Sequence, residues 1–237
     1  MATTQPLAFT VRAWAAWNEA VSPGDSPASA PEAAPPPLLR RRVSTLGQHA
    51  LQLAWSMACS GEARLVASSR HGEFGRSLGI IDSIIAGEGV SPAEFTLAVH
   101  HALVGLLSIA RGNPRAHTAV AAGPESFCFG FLEAVACLAE TPAEPVLLIH
   151  YDEPLPEPFT RFAEPSGPAL ALVVVLAAGG EGEPMTLVMA PTAAPEQACL
   201  PATAAGFRDF LADPQARRFT AAGSRMTWHW ARHVTSD

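Results

Sequence analysis

Apolar residues recur along this chain with two periods, and the alternation between them predicts a layered α/β fold. Positions 7–17 alternate apolar and polar side chains as a half-buried strand does, with Trp14 and Trp17 as large anchors. In 43–59, Leu46, Ala50, Leu53, Ala54 and Met57 form a helical stripe that Ser44 or Thr45 could cap. A short strand follows at 63–69, then a turn at His71-Gly72-Glu73, then a helix over 76–86 closed by Gly87 and Gly89. Further on, 116–122 reads as a strand ending at Gly123, 125–140 as a helix, and 144–151 as a buried strand. Pro154, Pro156 and Pro158 then enforce an extended, donor-poor loop. Positions 168–178 and 184–190 predict adjacent strands joined by the Gly-rich turn 179–182. Beyond Pro191 the signal weakens to a short helix at 207–211 and an edge strand at 226–232. Strands alternating with helices and closed by a hairpin favour buried, mixed strands between helical layers. There is no internal repeat.

These elements are organised around 91–113, S-P-A-E-F-T-L-A-V-H-H-A-L-V-G-L-L-S-I-A-R-G-N. This stretch divides at Val99. Residues 94–99 read as a short buried strand, and 101–110 are apolar nearly all round, which predicts a helix with no solvent face. Ala102, Gly105, Leu106 and Ile109 share one helical face, where Gly105 is expected to admit another backbone at close range. Arg111-Gly112-Asn113-Pro114 stops the helix. A strand turning sharply into a buried helix is the architecture of a nucleophile elbow. The bend predicted here holds Val99, His100 and His101, and no nucleophile.

Composition narrows the picture. A chain of 237 residues suits one α/β domain, or one with a ragged tail. The Pro/Ala/Ser-rich 22–37 reads as a flexible loop. A net charge of -7 argues against nucleic acid as a partner. All 15 basic residues are arginine, as codon bias would produce, so Schiff-base lysine chemistry is excluded. Cys59, Cys128, Cys137 and Cys199 lie in apolar or mixed contexts without C-x-x-C spacing, and read as buried small hydrophobes in a reducing compartment. The first 21 residues lack the features of a signal peptide, and the longest apolar run, 169–178, is about half of a membrane span. A soluble, cytoplasmic protein without membrane insertion is expected.

The candidate chemistry is sparse. His100-His101 could supply a general base, but that role needs an orienting carboxylate, and Asp82 and Glu94, the nearest in sequence, have no meaningful spacing. The residues after the pair also fail the H-H-x-x-x-D-G pattern of acyl-transferring condensation enzymes. His71 follows a strand, where sites often lie, and a turn-stabilising hydrogen bond explains it as well. No set of His, Cys, Asp and Glu has metal-ligand spacing, and 179–182 lacks the context of a phosphate cradle, so no cofactor is expected. Arg40, Arg41 and Arg42 precede a helix, where positive charge opposes the dipole. A solvated run and contact with an acidic partner both remain open.

Five segments in register resemble the beta-ketoacyl synthase-like proteins of the thiolase superfamily, and within them the short chain-length-factor-type proteins of bacterial type II polyketide and aryl-polyene systems. They are R-R-R-V-S-T-L-G-Q-H-A-L (40–51), S-S-R-H-G-E-F-G-R (68–76), the central 91–112, A-A-G-P-E-S-F (121–127) and H-Y-D-E-P-L-P (150–156). The resemblance implies a thiolase-like half-fold, a layered mixed sheet with a buried central helix, over 1–190, followed by an extension of unclear structure over 191–237. Ketosynthases carry a cysteine at the elbow, and their second half supplies two histidines. There is no cysteine between Cys59 and Cys128, and the chain stops where that second half would develop. The resemblance therefore implies a non-catalytic subunit that pairs with a catalytic ketosynthase in polyketide, aryl-polyene or fatty-acid-like biosynthesis. Arg40–Arg42 and Gly105 become candidate contacts to that partner or to an acyl carrier protein. The competing expectation is an independent acyl-transferring or hydrolytic enzyme using His100, His101 or His71.

Overall fold

The computed structural model describes residues 5–18, 34–162, 169–192 and 203–233. Most of the 22–37 loop and Cys199 lie outside them. Within them runs one eight-stranded sheet. Its strands are β1 (Leu7–Asn18), β2 (Arg64–Ser68), β3 (His117–Val120), β4 (Val146–Asp152), β5 (Leu170–Ala177), β6 (Glu183–Pro191), β7 (Arg218–Ala222) and β8 (Met226–Arg232). The spatial order is β3-β2-β4-β5-β1-β6-β8-β7. β2, β3 and β4 are parallel, and every other pairing is antiparallel. The expected mixed, layered α/β sheet is what forms.

The helices are α1 (Pro37–Arg40), α2 (Thr45–Ser56), α3 (Phe74–Ile85), α4 (Pro92–Leu97), α5 (Ala102–Arg111), α6 (Ser126–Glu140) and α7 (Thr203–Ala212). α2 and α5 cover one sheet face, through Leu46, Leu51, Leu103 and Leu107 against Leu147, Ile149 and Val173. α6 and α7 cover the other, where Phe127, Phe131 and Phe207 meet Val66, Leu148, Val174 and Trp230. The period of two along β4 and β5 sends alternate residues to the two cores, so all eight residues of β5 are buried.

Several expectations are corrected. Residues 94–99 are not a strand. Ser91 caps α4, its Oγ accepting from the Glu94 N–H at 3.4 Å, with Pro92 in the first turn. Val99, His100 and His101 therefore lie between two helices and form no elbow. α5 buries Leu103, Val104, Leu107 and Ser108 and leaves Ile109 81% exposed, so it does have a solvent face. The helix does end where expected. Gly112 takes φ +61°, and the buried Asn113 amide donates to the Ser60 and Ala63 carbonyls, tying the end of α5 to the start of β2. No atom lies within 4 Å of a Cβ built on Gly105, so no backbone approaches there. Gly105→Ala is consequently expected to stabilise the protein by about 0.5–1 kcal/mol through helix propensity, read as a higher denaturant midpoint.

Arg40 ends α1, and Arg41 and Arg42 are exposed in the turn before Ser44, which caps α2. The triplet thus sits at the C-terminal end of a helical turn, where positive charge is favourable. Within the expected extension, the described residues 203–233 add β7 and β8 to the same sheet and α7 beside it. Segment 226–232 is an inner strand with Trp228 and Trp230 fully buried, and β7 is the edge.

Candidate functional site

Parallel strands in α/β sheets gather functional groups at their C-terminal ends, and four of the five segments singled out above meet beyond β2 and β4. Asp152 Oδ1 accepts from the backbone N–H groups of Arg70 and His71, at 3.0 and 3.1 Å. Next to it, Glu153 Oε1 accepts the Leu46 N–H at the start of α2. Ser44 Oγ donates to Glu73 Oε1 at 3.3 Å, and Arg76 Nε donates to Glu73 Oε2 at 3.2 Å. Arg76 then reaches Glu94 on α4 at 2.8 Å. The Glu73 carboxyl is buried beside Glu153, and burial first and that charge second push its pKa up. This lattice fixes the first turns of α2 and α3 against the sheet.

The fifth segment makes the strand–turn–helix bend that sequence reading placed at Val99. β3 leads through Ala122 and Gly123, which takes φ +58°, into α6. Ser126 Oγ accepts from the Ala122 N–H at 3.0 Å and donates to the Gly123 carbonyl at 2.7 Å. Glu125 is buried and faces away from the bend, accepting from Ser224 N–H, Ser224 Oγ and Trp228 Nε1 at 3.0, 2.8 and 3.1 Å. The hairpin of β7 and β8 is thereby locked to the start of α6. No thiol stands at the bend. Cys128, in the first turn of α6, has no exposed surface, and burial pushes its thiol far above the usual range.

The buried helix of this fold is α6, whose close approach to the sheet falls at Gly130. A Cβ there would meet Ser68 Cβ at 2.5 Å. Sequence reading missed what lies beneath. Ser68 Oγ and His150 Nδ1 are 2.9 Å apart, both buried, and burial lowers the His150 pKa. Although serine and histidine are bonded, Phe127 and α6 seal the pair from substrate.

The other histidines are scattered. The His100 ring lies over Gly72, with Nε2 3.4 Å from the Arg70 carbonyl. His101 turns instead to His117 on β3, their Nε2 and Nδ1 hydrogen-bonded. His71 gives its backbone N–H to Asp152. Glu94 is committed to Arg76 and orients neither ring of the pair. His100 and His101 thus turn to different partners, the Arg70 carbonyl and the His117 ring. Among the described residues, no three His, Cys, Asp or Glu side chains converge as metal ligands, and no helix is long and apolar enough to cross a membrane.

One surface contrasts with this ordered interior. α3 and α4 are rich in apolar side chains, yet neither buries a single residue. On these helices Ile81, Ile84, Ile85 and Phe95 are 48%, 59%, 78% and 64% exposed, and Val90 and Val99, next to α4 in sequence, are exposed as well. A groove of about 410 Å³ runs along α3, lined by Gly75, Gly79, Ile80, Ser83 and Val90 and closed by Arg76 and Glu94.

The family profile described as beta-ketoacyl synthase, N-terminal domain, matches residues 14–231. The chain belongs to this family. Among solved structures, this beta-ketoacyl synthase domain is similar to one titled as a ketosynthase (ApeO) in complex with its chain length factor (ApeC) from Xenorhabdus doucetiae. That match has 22% identity, covers 95% of this chain and 100% of the other, and has a TM-score of 0.78. The ishigamide ketosynthase/chain length factor matches at 14% identity over 86% and 72% of the two chains, with a TM-score of 0.60. A beta-ketoacyl synthase from Burkholderia phymatum STM815 matches at 13% identity over 76% and 58%, with a TM-score of 0.54. No curated protein matches the chain. At these identities the likeness establishes the thiolase-like fold of the domain.

Proposed function

We propose that this chain is a non-catalytic, chain-length-factor-type subunit that pairs with a catalytic ketosynthase in the cytoplasm. In this reading it stabilises that partner and bounds the acyl chain growing on carrier-protein thioesters, in polyketide, aryl-polyene or fatty-acid-like synthesis. The observation that carries the reading is the unburied apolar face of α3 and α4. A protein seldom leaves so many large apolar side chains open to water unless another surface covers them. An obligate interface, above about 2,000 Å² and core-like in composition, would do so. The bend between β3 and α6 supports the non-catalytic half of the reading, because Ala122, Gly123 and Pro124 offer no nucleophile. The titles of the similar ketosynthase and chain length factor structures support the choice of partner.

The groove along α3 gives the reading a residue-level test. It adjoins the apolar face, and its floor at Gly75 and Gly79 carries no side chain. Gly79 has no atom within 4 Å of a built Cβ and no positive φ, so Gly79→Phe should leave the fold intact and fill the groove. With the cognate ketosynthase and carrier protein, this variant is expected to shift product toward chains shorter by one or more extension units. Product profiling by mass spectrometry is the check. An unchanged product distribution from an intact complex would remove the groove from the account.

A further inference from the structure

His101 and His117 play no part in the function proposed above, and their geometry is that of a fastener. His101 stands at the start of α5 and His117 at the start of β3, which is paired only with β2 and is the edge strand opposite β7. Both side chains are half-buried, their ring centroids are 4.6 Å apart, and His101 Nε2 meets His117 Nδ1. We propose that this pair is a proton-operated clasp, holding α5 to the edge strand at neutral pH and releasing it on acidification.

The chemistry follows from counting hydrogens on the two facing nitrogens. In the neutral pair one nitrogen donates and the other accepts. A first proton can be carried on the donor ring without breaking that bond. A second proton puts hydrogen on both facing nitrogens and sets two cations side by side, so the contact must open. Among the described residues, the charged and titratable groups on the elements packed against the pair have other environments: on α2, His49 stacks on Trp17, and in the turn at 58–61 burial raises the Cys59 thiol. On α5, Arg111 lies over Trp55, and on α4, Glu94 is taken by Arg76. On β2, Arg64 is paired with Glu140, and before β3, Arg115 is paired with Glu144. On α6, Glu125 is held by Ser224 and Trp228, Glu133 accepts from Cys137, and Cys128 is buried. His100 is turned to the Arg70 carbonyl. Burial first and His117 second lower the His101 pKa from 6.5, so protonation favours the open form. The sign is that of a depressed histidine: its stabilisation is complete above 6.5 and is lost as pH falls through the folded value. α5 touches α4 of the apolar face, so partner binding would also become proton-linked. That consequence rests on the pairing reading, whereas the clasp is read from this chain alone.

Hydrogen exchange with mass spectrometry tests the clasp on the full chain, in whichever assembly it purifies. Peptides covering β3 and α5 are followed from about pH 7.5 to about pH 5 and corrected for intrinsic exchange rates. Protection of β3 is expected to fall about tenfold per pH unit as pH drops below 6.5, the mark of one proton taken up on opening, and to level off below the folded value of His101. In His101→Phe, which keeps an aromatic ring and removes the proton site, and in His117→Thr, a good strand former, protection should not follow pH. Flat protection in the native sequence, or an equal loss in both variants, would overturn the clasp. If neither variant folds, the histidine ring resonances of the native chain decide. A His101 ring that titrates below 6.5 supports the clasp, and an unshifted His101 ring refutes it.

Discussion

Gly130→Leu is expected to abolish the folded state. Gly130 lies on α6 directly over β2, and the first atom of any side chain there would fall 2.5 Å from Ser68 Cβ and 2.8 Å from Ser68 Oγ. Neither obstacle is the free end of a flexible side chain. Ser68 is a strand residue fixed between β3 and β4 and bonded to His150, with Leu148 alongside. To admit even a methyl group, α6 must lift from the sheet, loosening the cluster of Phe127, Phe131, Phe207 and Trp230. Overpacking of a tight core costs about 1–3 kcal/mol for modest insertions, so Gly130→Ala should lie in that range and Gly130→Leu beyond it. With small domains holding only about 5–15 kcal/mol in reserve, the larger change should remove the cooperative melt altogether. Circular dichroism melts of both variants beside Gly105→Ala are the measurement. A Gly130→Leu protein that melts cooperatively near the native temperature would show the helix–sheet contact to be looser than described.

The second large effect is a silence. Incubated with acyl-carrier thioesters, this protein is expected to gain no covalent acyl mass, where a catalytic ketosynthase would be acylated. An acyl transfer needs a thiolate or activated hydroxyl that a thioester can reach. The bend before α6 offers Ala122, Gly123, Pro124 and a Ser126 hydroxyl spent on the backbone of its own turn. The described cysteines do not compensate. Burial raises the thiols of Cys59 and Cys128, and that of Cys137 to about 11, so all three are thiols at neutral pH. Intact-mass spectrometry reads the outcome, and a stable acyl adduct retained after denaturation would overturn the non-catalytic reading.

Seven of the eight strands were legible from periodicity because most are buried on both faces or alternate cleanly, so the apolar pattern reports burial directly, whereas the short, mostly unburied β7 was not singled out. Both turns after β2 and β3 are marked by glycine, and both were read at the right place. The central stretch misled for an identifiable reason. S-P-A-E at 91–94 is a helix start, with a serine cap, proline in the first turn and glutamate at the third position. Apolar content drew it toward a buried strand, although the apolar side chains of α4 face outward. The same assumption made α5 buried on all sides and gave Gly105 a close neighbour. Apolar periodicity cannot tell a side chain that meets this protein's own core from one left for another surface. The bend that matters was present as strand, Gly123-Pro124 and helix, but its lack of any reactive residue gave no reason to single it out. Ser68 with His150, and Glu125 with Trp228, pair residues 82 and 103 positions apart, and no local pattern announces such contacts.

Co-expression with the cognate ketosynthase, followed by affinity capture of one chain and size-exclusion light scattering, tests the central claim most directly. The account predicts a stable complex of one copy of each chain, and a poorly soluble or self-associating protein when this chain is made alone. It also predicts that Ile85→Asp with Phe95→Asp, on side chains that are 78% and 64% exposed, disrupts the complex. A well-behaved, partner-free monomer with a cooperative melt, which leaves the ketosynthase unbound, would contradict it.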